Sequence, residues 1–274
     1  MPLTRVYFIP ESSTSASSTT LQTVIDRVTK QFVAEPMGRW SLEHRLMRET
    51  APPTQVPQND KLPSPKYLQI LSLSHHPGRT WVGISKPSQP QELKRSSGTT
   101  EQALADANGS KERQAERPLS TSPSFSSPTV IAVPSPSHSE EFVHLLLTKM
   151  GPLWTPRQTL VSRGLGFEAG DFRVRVGEVK QGQGTTQSTK GVIVEVEWVA
   201  GIDEAVVDRV GEGQETEQPQ MTDWEDAYEV TNAFWDELGI QGAKAAARVA
   251  GMGDGERIST SGVATQYFDL LRLR

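Results

Sequence analysis

The chain contains no cysteine among its 274 residues. This absence excludes disulfide bonds, thiolate nucleophiles and zinc sites built on cysteine. It is compatible with a reducing interior, although it does not by itself identify a compartment.

Long hydrophobic runs are also missing. No stretch of the sequence approaches the ~20 apolar residues of a membrane span, and the apolar part of residues 1–10 is too short for a secretory signal. We therefore expect a soluble, intracellular protein with no membrane partner.

The sequence has fewer basic than acidic residues. The sequence has 28 Lys and Arg against 33 Asp and Glu, a formal net charge of -5. Such a chain has no global positive field to hold a phosphate backbone, so we expect no direct binding of nucleic acid. Only 35% of the residues are hydrophobic, which favours one packed core with long polar loops.

Three polar inserts interrupt what we interpret as a single domain over residues 1–274. Residues 50–65 are rich in proline. Residues 201–220 carry six acidic side chains against Arg209 as their one basic side chain, which predicts a solvated acidic loop. Residues 86–127 have few large apolar side chains. Such a segment cannot bury enough apolar surface to offset its ordering entropy, so we predict that it is disordered.

Between the inserts, the hydrophobic pattern repeats one order of elements, β-α-β-β-β. The first half has predicted strands at 3–9, 39–49, 67–74 and 80–85, with a helix at 20–32. The second half has predicted strands at 129–133, 158–167, 172–180 and 192–199, with a helix that opens at the capping box Ser137-x-x-Glu140. We therefore predict an α+β fold, a mostly antiparallel sheet that curls or closes into a barrel with helices packed outside, because closure removes exposed edges.

Two further helices are predicted near the end of the sequence, after the capping box Thr222-x-x-Glu225 and over residues 262–274. Both carry an aromatic stripe at helical spacing. Such stripes usually belong to the core, but an exposed half could bind a partner. The candidate partner-binding residues are Tyr267, Phe268, Leu271, Trp224 and Trp235.

The clearest pattern lies in residues 171–198, where two runs alternate strictly between apolar and charged residues. If they pair as an antiparallel hairpin with Val174 opposite Val196, the same register places Arg175 opposite Glu195 and Arg173 opposite Glu197. We expect the valines to be buried and the charged pairs to form an exposed ionic ladder on the other face.

A catalytic alternative starts from Glu195 and Glu197, whose carboxylates point from one strand face as metal-dependent phosphate chemistry requires. This arrangement resembles a fragment of a triphosphate tunnel enzyme. No second Glu-x-Glu lies on a predicted strand, so the ionic ladder is the preferred interpretation. The turn His75-His76-Pro-Gly is expected to be exposed, because no third metal ligand lies nearby in sequence. We therefore nominate no catalytic, metal-binding or cofactor-binding residue and expect no small-molecule substrate.

The order of several short motifs resembles one known family. The chain has Arg163-Gly164, then Phe167, Asp171-Phe172 and Val174-Arg-Val-Gly177, and after a polar loop Gly191-Val-Ile-Val-Glu-Val-Glu-Trp198. A later segment reads Gln266-Tyr-Phe-Asp-Leu-Leu271. This series is similar to subunit 20 of the transcriptional Mediator complex, the TATA-binding-related-factor family, in a form with long inserts.

The resemblance implies a non-enzymatic subunit of the Mediator head module in the nucleus. Such a subunit pairs with Mediator subunit 18, is tethered through it to Mediator subunit 8, and helps to couple regulators to RNA polymerase II. Its work would be carried by surface contacts and not by a reactive group. A pulldown from nuclear extract would test this expectation.

Overall fold

The computed structural model describes residues 3–11, 17–50, 65–86, 128–134, 137–182, 187–199, 223–246 and 260–272. The predicted inserts at 50–65, 86–127 and 201–220 lie outside this part of the chain, except for residues 50, 65 and 86. The elements in order are β1 (Leu3–Pro10), α1 (Ser17–Gln31), β2 (Glu35–Glu49), β3 (Tyr67–Leu73), β4 (Arg79–Ser85), β5 (Thr129–Pro134), α2 (Ser137–Thr148), β6 (Trp154–Ala169), β7 (Phe172–Gln181), β8 (Ser188–Trp198), α3 (Asp223–Leu238), β9 (Lys244–Ala245) and α4 (Thr260–Leu270).

The strands form one antiparallel sheet in the order β5-β4-β3-β2-β6-β7-β8-β1-β9. The predicted α+β class and the repeated β-α-β-β-β order are both confirmed. Strand β9 was not predicted, because two residues carry no periodicity. None of the described helices is long and apolar enough to cross a membrane.

The two halves exchange their first strands. Strand β1 belongs to the first half but pairs with β8 of the second half, with Leu3 opposite Trp198. Strand β5 belongs to the second half but pairs with β4 of the first half, with Ile84 opposite Thr129. Each half therefore supplies an outer strand to the other.

Alternating side chains of the strands build separate cores on the two faces of the sheet. On the outer face, α1 and α3 pack on β7, β8 and β1, where Val174, Val194 and Tyr7 are buried. Helix α2 covers another part of that face, where Leu146 is buried with Ile70 and Val82. The side chains that alternate with these point to the inner face. There Val6 and Phe8 of β1 pack with α4 in a third core.

Helix α4 lies on the inner face and contacts strands from distant positions in the sheet. It contacts β1 near one edge and β3, β4 and β5 at the other. A flat sheet could not bring these strands to one helix of about 10–12 Å diameter, so the sheet curls around α4. Among the described strands β5 and β9 do not pair, so the sheet is curled but not closed.

The position of α4 departs from the expectation that the helices pack outside. Three helices do so, but α4 brings Tyr267, Phe268 and Leu271 into the inner core, all fully buried. Gly83 on β4 leaves the space for Phe268, because a Cβ atom there would lie 2.5 Å from the phenyl ring. A side chain at this position would push the helix away from the sheet.

Two glycines of the sequence motifs meet across the sheet. Gly164 on β6 is opposite Gly177 on β7, and a Cβ atom at Gly164 would come within 1.8 Å of the Val176 carbonyl oxygen. The indole nitrogen of Trp40 donates a 3.0 Å hydrogen bond to that same carbonyl. The close approach therefore requires glycine at position 164, and it leaves room for Trp40 to enter the inner core.

Candidate functional site

The hairpin of β7 and β8 has the predicted register. Val174 is opposite Val196, Arg175 is opposite Glu195 and Arg173 is opposite Glu197, and both valines are fully buried. The expectation that the charged pairs are exposed is wrong for Arg175 and Glu195, whose exposed fractions are 8% and 1%. The reason is that α4 and the turn between β3 and β4 cover the charged face.

Glu195 is the centre of a buried polar cluster on the inner face. One of its oxygens, Oε1, accepts a 2.5 Å hydrogen bond from Arg175 Nη1 and lies 3.2 Å from His75 Nε2. The other oxygen, Oε2, accepts a hydrogen bond from the Tyr267 hydroxyl of α4. Arg175 Nη1 also contacts Glu197 Oε2 at 2.8 Å, so the guanidinium bridges the two carboxylates.

The cluster keeps Glu195 ionised despite its burial. Burial alone would raise the pKa of this carboxyl, but the contact and charge of His75, the Arg175 guanidinium and the Tyr267 hydroxyl together lower the pKa to about 2. Burial and the adjacent Glu195 charge raise the pKa of Tyr267 well above its usual value. Tyr267 therefore retains its proton and acts as a hydrogen-bond donor.

The two histidines of the turn after β3 are partly buried, although the sequence suggested that this turn is exposed. The side chain of His75 is 13% exposed and reaches Glu195 on β8, and its ring lies edge-on to Trp40 at 6.3 Å. The ring of His76 lies edge-on to Trp81 at 5.3 Å. The pKa of His76 is lowered mainly by burial and, to a smaller extent, by the neighbouring His75. No local sequence pattern predicts this arrangement, since only the curl of the sheet brings the turn over β8.

A second polar group fixes the end of α4. With the Gln69 amide oriented to satisfy its neighbours, its nitrogen donates to the Phe268 carbonyl at 3.1 Å and to His44 Nε2 at 3.0 Å. Its oxygen accepts a 2.9 Å hydrogen bond from Arg272. Burial lowers the pKa of His44 to about 4, so His44 is neutral and can accept this bond.

The candidate partner-binding residues fall mostly in the core of the chain itself. Tyr267, Phe268 and Leu271 are fully buried on the inner face. Trp235 is 8% exposed and stacks on Tyr7 with ring centroids 3.8 Å apart. Trp224 lies in the first turn of α3, but its side chain is outside the described part of the structure. Direct contact of these residues with a partner stays a prediction.

The geometry limits what this cluster can do chemically. Both Glu195 oxygens are engaged by the protein, and Arg175 neutralises much of the carboxylate charge that would attract a cation. Within the described ranges, no group of three His, Asp or Glu side chains is arranged to hold a metal ion. Sequence reasoning did not find His75 and Tyr267 as partners of Glu195, because both contacts depend on the long-range curl of the sheet.

The fold and the cluster define an α+β protein whose curled sheet encloses its own final helix and uses its buried carboxylate to hold that helix. A sequence profile described as the TATA-binding related factor (TRF) of subunit 20 of Mediator complex matches residues 1–272. The chain therefore belongs to this Mediator subunit family, which places it among the proteins of transcription.

The other comparisons are more distant. No curated protein sequence matches the chain. Among solved structures, it is similar to a chain of the Schizosaccharomyces pombe Mediator head module, with 12% identity, a TM-score of 0.37 and coverage of 89% of this chain and 97% of that one. It is also similar to the PH1012 protein from Pyrococcus horikoshii, with 10% identity, a TM-score of 0.38 and coverage of 88% and 94%. Likenesses at these values carry no functional argument.

Proposed function

We propose that the protein is a non-enzymatic subunit of the Mediator head module, active in the nucleus. It pairs with Mediator subunit 18 and is connected through that subunit to Mediator subunit 8 and the rest of the head. In this role it serves as a coactivator that helps to couple regulators to RNA polymerase II. The match of the family profile over residues 1–272 is the observation that carries the proposal.

The chemistry of the inner face supports a role without catalysis. Glu195 and Glu197 are the carboxylates that a tunnel phosphohydrolase would use, but Arg175 binds both of them and Tyr267 binds Glu195. A substrate could reach Glu195 only if α4 left the inner face. The protein therefore acts on partners through its outer surface, with no small-molecule substrate and no direct contact with nucleic acid.

The buried aromatic residues contribute to this function through the shape of the sheet. Tyr267, Phe268 and Leu271 hold α4 against strands at both sides of the curl, and Trp235 fixes α3 on Tyr7. Their removal would alter the partner surface without removing a contact. Direct contact of Trp224 with a partner stays a prediction from the sequence.

Co-expression with Mediator subunit 18 tests the proposal. We expect a stable 1:1 complex by size-exclusion chromatography with light scattering, and no phosphate release from inorganic triphosphate or nucleoside triphosphates with Mg²⁺ or Mn²⁺. The control is the double variant Glu195→Gln with Glu197→Gln. Metal-dependent hydrolysis that this variant abolishes, with no complex formed, would overturn the proposal in favour of a tunnel-type phosphohydrolase.

A further inference from the structure

The two edge regions of the sheet differ in how their backbone hydrogen-bonding groups are satisfied. At the β1 edge, β9 pairs with Tyr7 and Phe8, and the Ala246 amide donates to the Val6 carbonyl at 3.0 Å. The Gln266 side chain covers the next groups, because its oxygen accepts from the Val6 amide at 3.0 Å and its nitrogen donates to the Thr4 carbonyl at 2.8 Å. The protein therefore satisfies the backbone of β1 with its own groups.

The opposite edge has no such cover in the described part of the chain. Strand β5 pairs only with β4 there, so the alternate amides and carbonyls that face away from β4 have no described partner. Its sequence, Thr-Val-Ile-Ala-Val-Pro, contains no charged residue. Edge strands are usually protected from pairing by charged side chains, proline, bulges or extreme shortness. Of these devices β5 has only Pro134, which lacks an amide proton at one end.

Exposed apolar side chains lie beside this edge. Ile131 is 56% exposed and Ile84 on β4 is 41% exposed. Ile131 is opposite Val82, and Ile84 follows Val82 by two residues, so both isoleucines share the outer face with α2. Helix α2 buries Val82 but leaves the two isoleucines uncovered. On the inner face, Val130 packs against the core around α4 and anchors the strand.

From this combination we propose that the β5 edge is the site at which the partner subunit adds an extended strand to the sheet. The inference rests on the proposed function, since it assigns a surface to the partnership with Mediator subunit 18. An extended backbone is the occupant that satisfies a row of amides and carbonyls with no partner among the described residues. Ile131 and Ile84 then contact apolar side chains at alternate positions of the added strand. A helix or a small molecule would leave the strand's backbone groups unsatisfied.

The test uses the full chain in complex with Mediator subunit 18 and two matched variants. Ile131→Glu places a charge at the edge, whereas Leu165→Glu places the same charge at another apolar side chain, 40% exposed, on the internal strand β6. We expect Ile131→Glu to weaken the complex at least about tenfold, as loss of an interface anchor does, and Leu165→Glu to bind as the wild type does. Hydrogen exchange should also slow at alternate amides of β5 when the complex forms.

The outcomes separate the two proposals. A wild-type complex with unchanged exchange in β5 and no effect of Ile131→Glu would overturn the strand addition and leave the partnership intact. Failure of the wild-type proteins to associate would overturn both. A wild-type homodimer that Ile131→Glu converts to a monomer would show that a second copy of the chain occupies the edge, and this result also overturns the assignment to the partner.

Discussion

The hydroxyl of Tyr267 donates a hydrogen bond to the buried carboxylate of Glu195. This contact joins the final helix to the strand that carries the most regular sequence pattern. It explains why an apolar segment near the end of the sequence contains a tyrosine, and why an alternating strand contains a glutamate that never reaches solvent. The contact is a structural bond, since it fixes α4 on the inner face.

Removal of this hydroxyl should destabilise the fold. Tyr267→Phe leaves Glu195 with one donor fewer in a dry environment, so we expect a loss of about 1.5–3 kcal/mol in the free energy of unfolding. Urea denaturation of the variant and the wild type measures this difference in the free energy of unfolding. The matched control is Tyr7→Phe, because the Tyr7 hydroxyl is also buried but has no hydrogen-bond partner in the described structure, and its loss should cost no stability. Equal losses in the two variants would contradict the role given to Tyr267.

Acid should destabilise the protein in two overlapping steps. His44 has a folded pKa of about 4 against a usual 6.5, so the unfolded chain binds the proton first and stability falls as pH decreases from 6.5 to 4. Glu195 has a folded pKa of about 2 against a usual 4.5, so its contribution is present above pH 4.5 and is lost as pH falls towards 2.

Thermal unfolding measured against pH checks these steps. His44→Gln should flatten the decline between pH 6.5 and 4, with His76 supplying a remaining slope of the same sign. A His44→Gln profile that follows the wild type throughout this range would show that His44 is not buried as a neutral group.

Two glycines on β6 should differ sharply in their tolerance of a methyl group. Gly164→Ala would place Cβ 1.8 Å from the Val176 carbonyl oxygen, so the strands must separate and we expect a loss of about 3 kcal/mol or more. Gly166→Ala meets its nearest atom at 3.6 Å and should change stability by less than about 1 kcal/mol. Melting temperatures of the two variants give the comparison. Similar values would mean that β6 and β7 do not approach as described.

Residues 87–127 should be dispensable for folding. Ile84 is directly opposite Thr129, so β4 and β5 already form a hairpin that a short turn can close, and closure entropy changes slowly with loop length. Replacement of residues 87–127 by a short Asn-Gly turn should preserve the melting temperature within a few degrees. It should also preserve partner binding. Loss of the complex with an intact fold would identify the insert as a binding element.

Local patterns in the sequence were sufficient for most of the elements and for one register. The alternation in residues 171–198 predicted that Val174 would face Val196, because a shift by one residue would expose the whole apolar face. The same pattern could not reveal the burial of Glu195, since its cover comes from His75 and Tyr267, distant positions in the sequence. Helix α4 was predicted near its true position but on the wrong side of the sheet, because an apolar stripe does not specify which face it covers.

The exchange of first strands between the two halves has a consequence for synthesis of the protein on the ribosome. The ladder partner of β1, strand β8, is translated about 190 residues after it, since Leu3 pairs with Trp198. At translation rates of 5–20 residues per second, β1 waits roughly 10–40 s for β8. During this time Val6, Phe8 and the other apolar residues of β1 have no sheet to join. The apolar side chains of β1 can therefore be buried in the native sheet only after β8 has emerged.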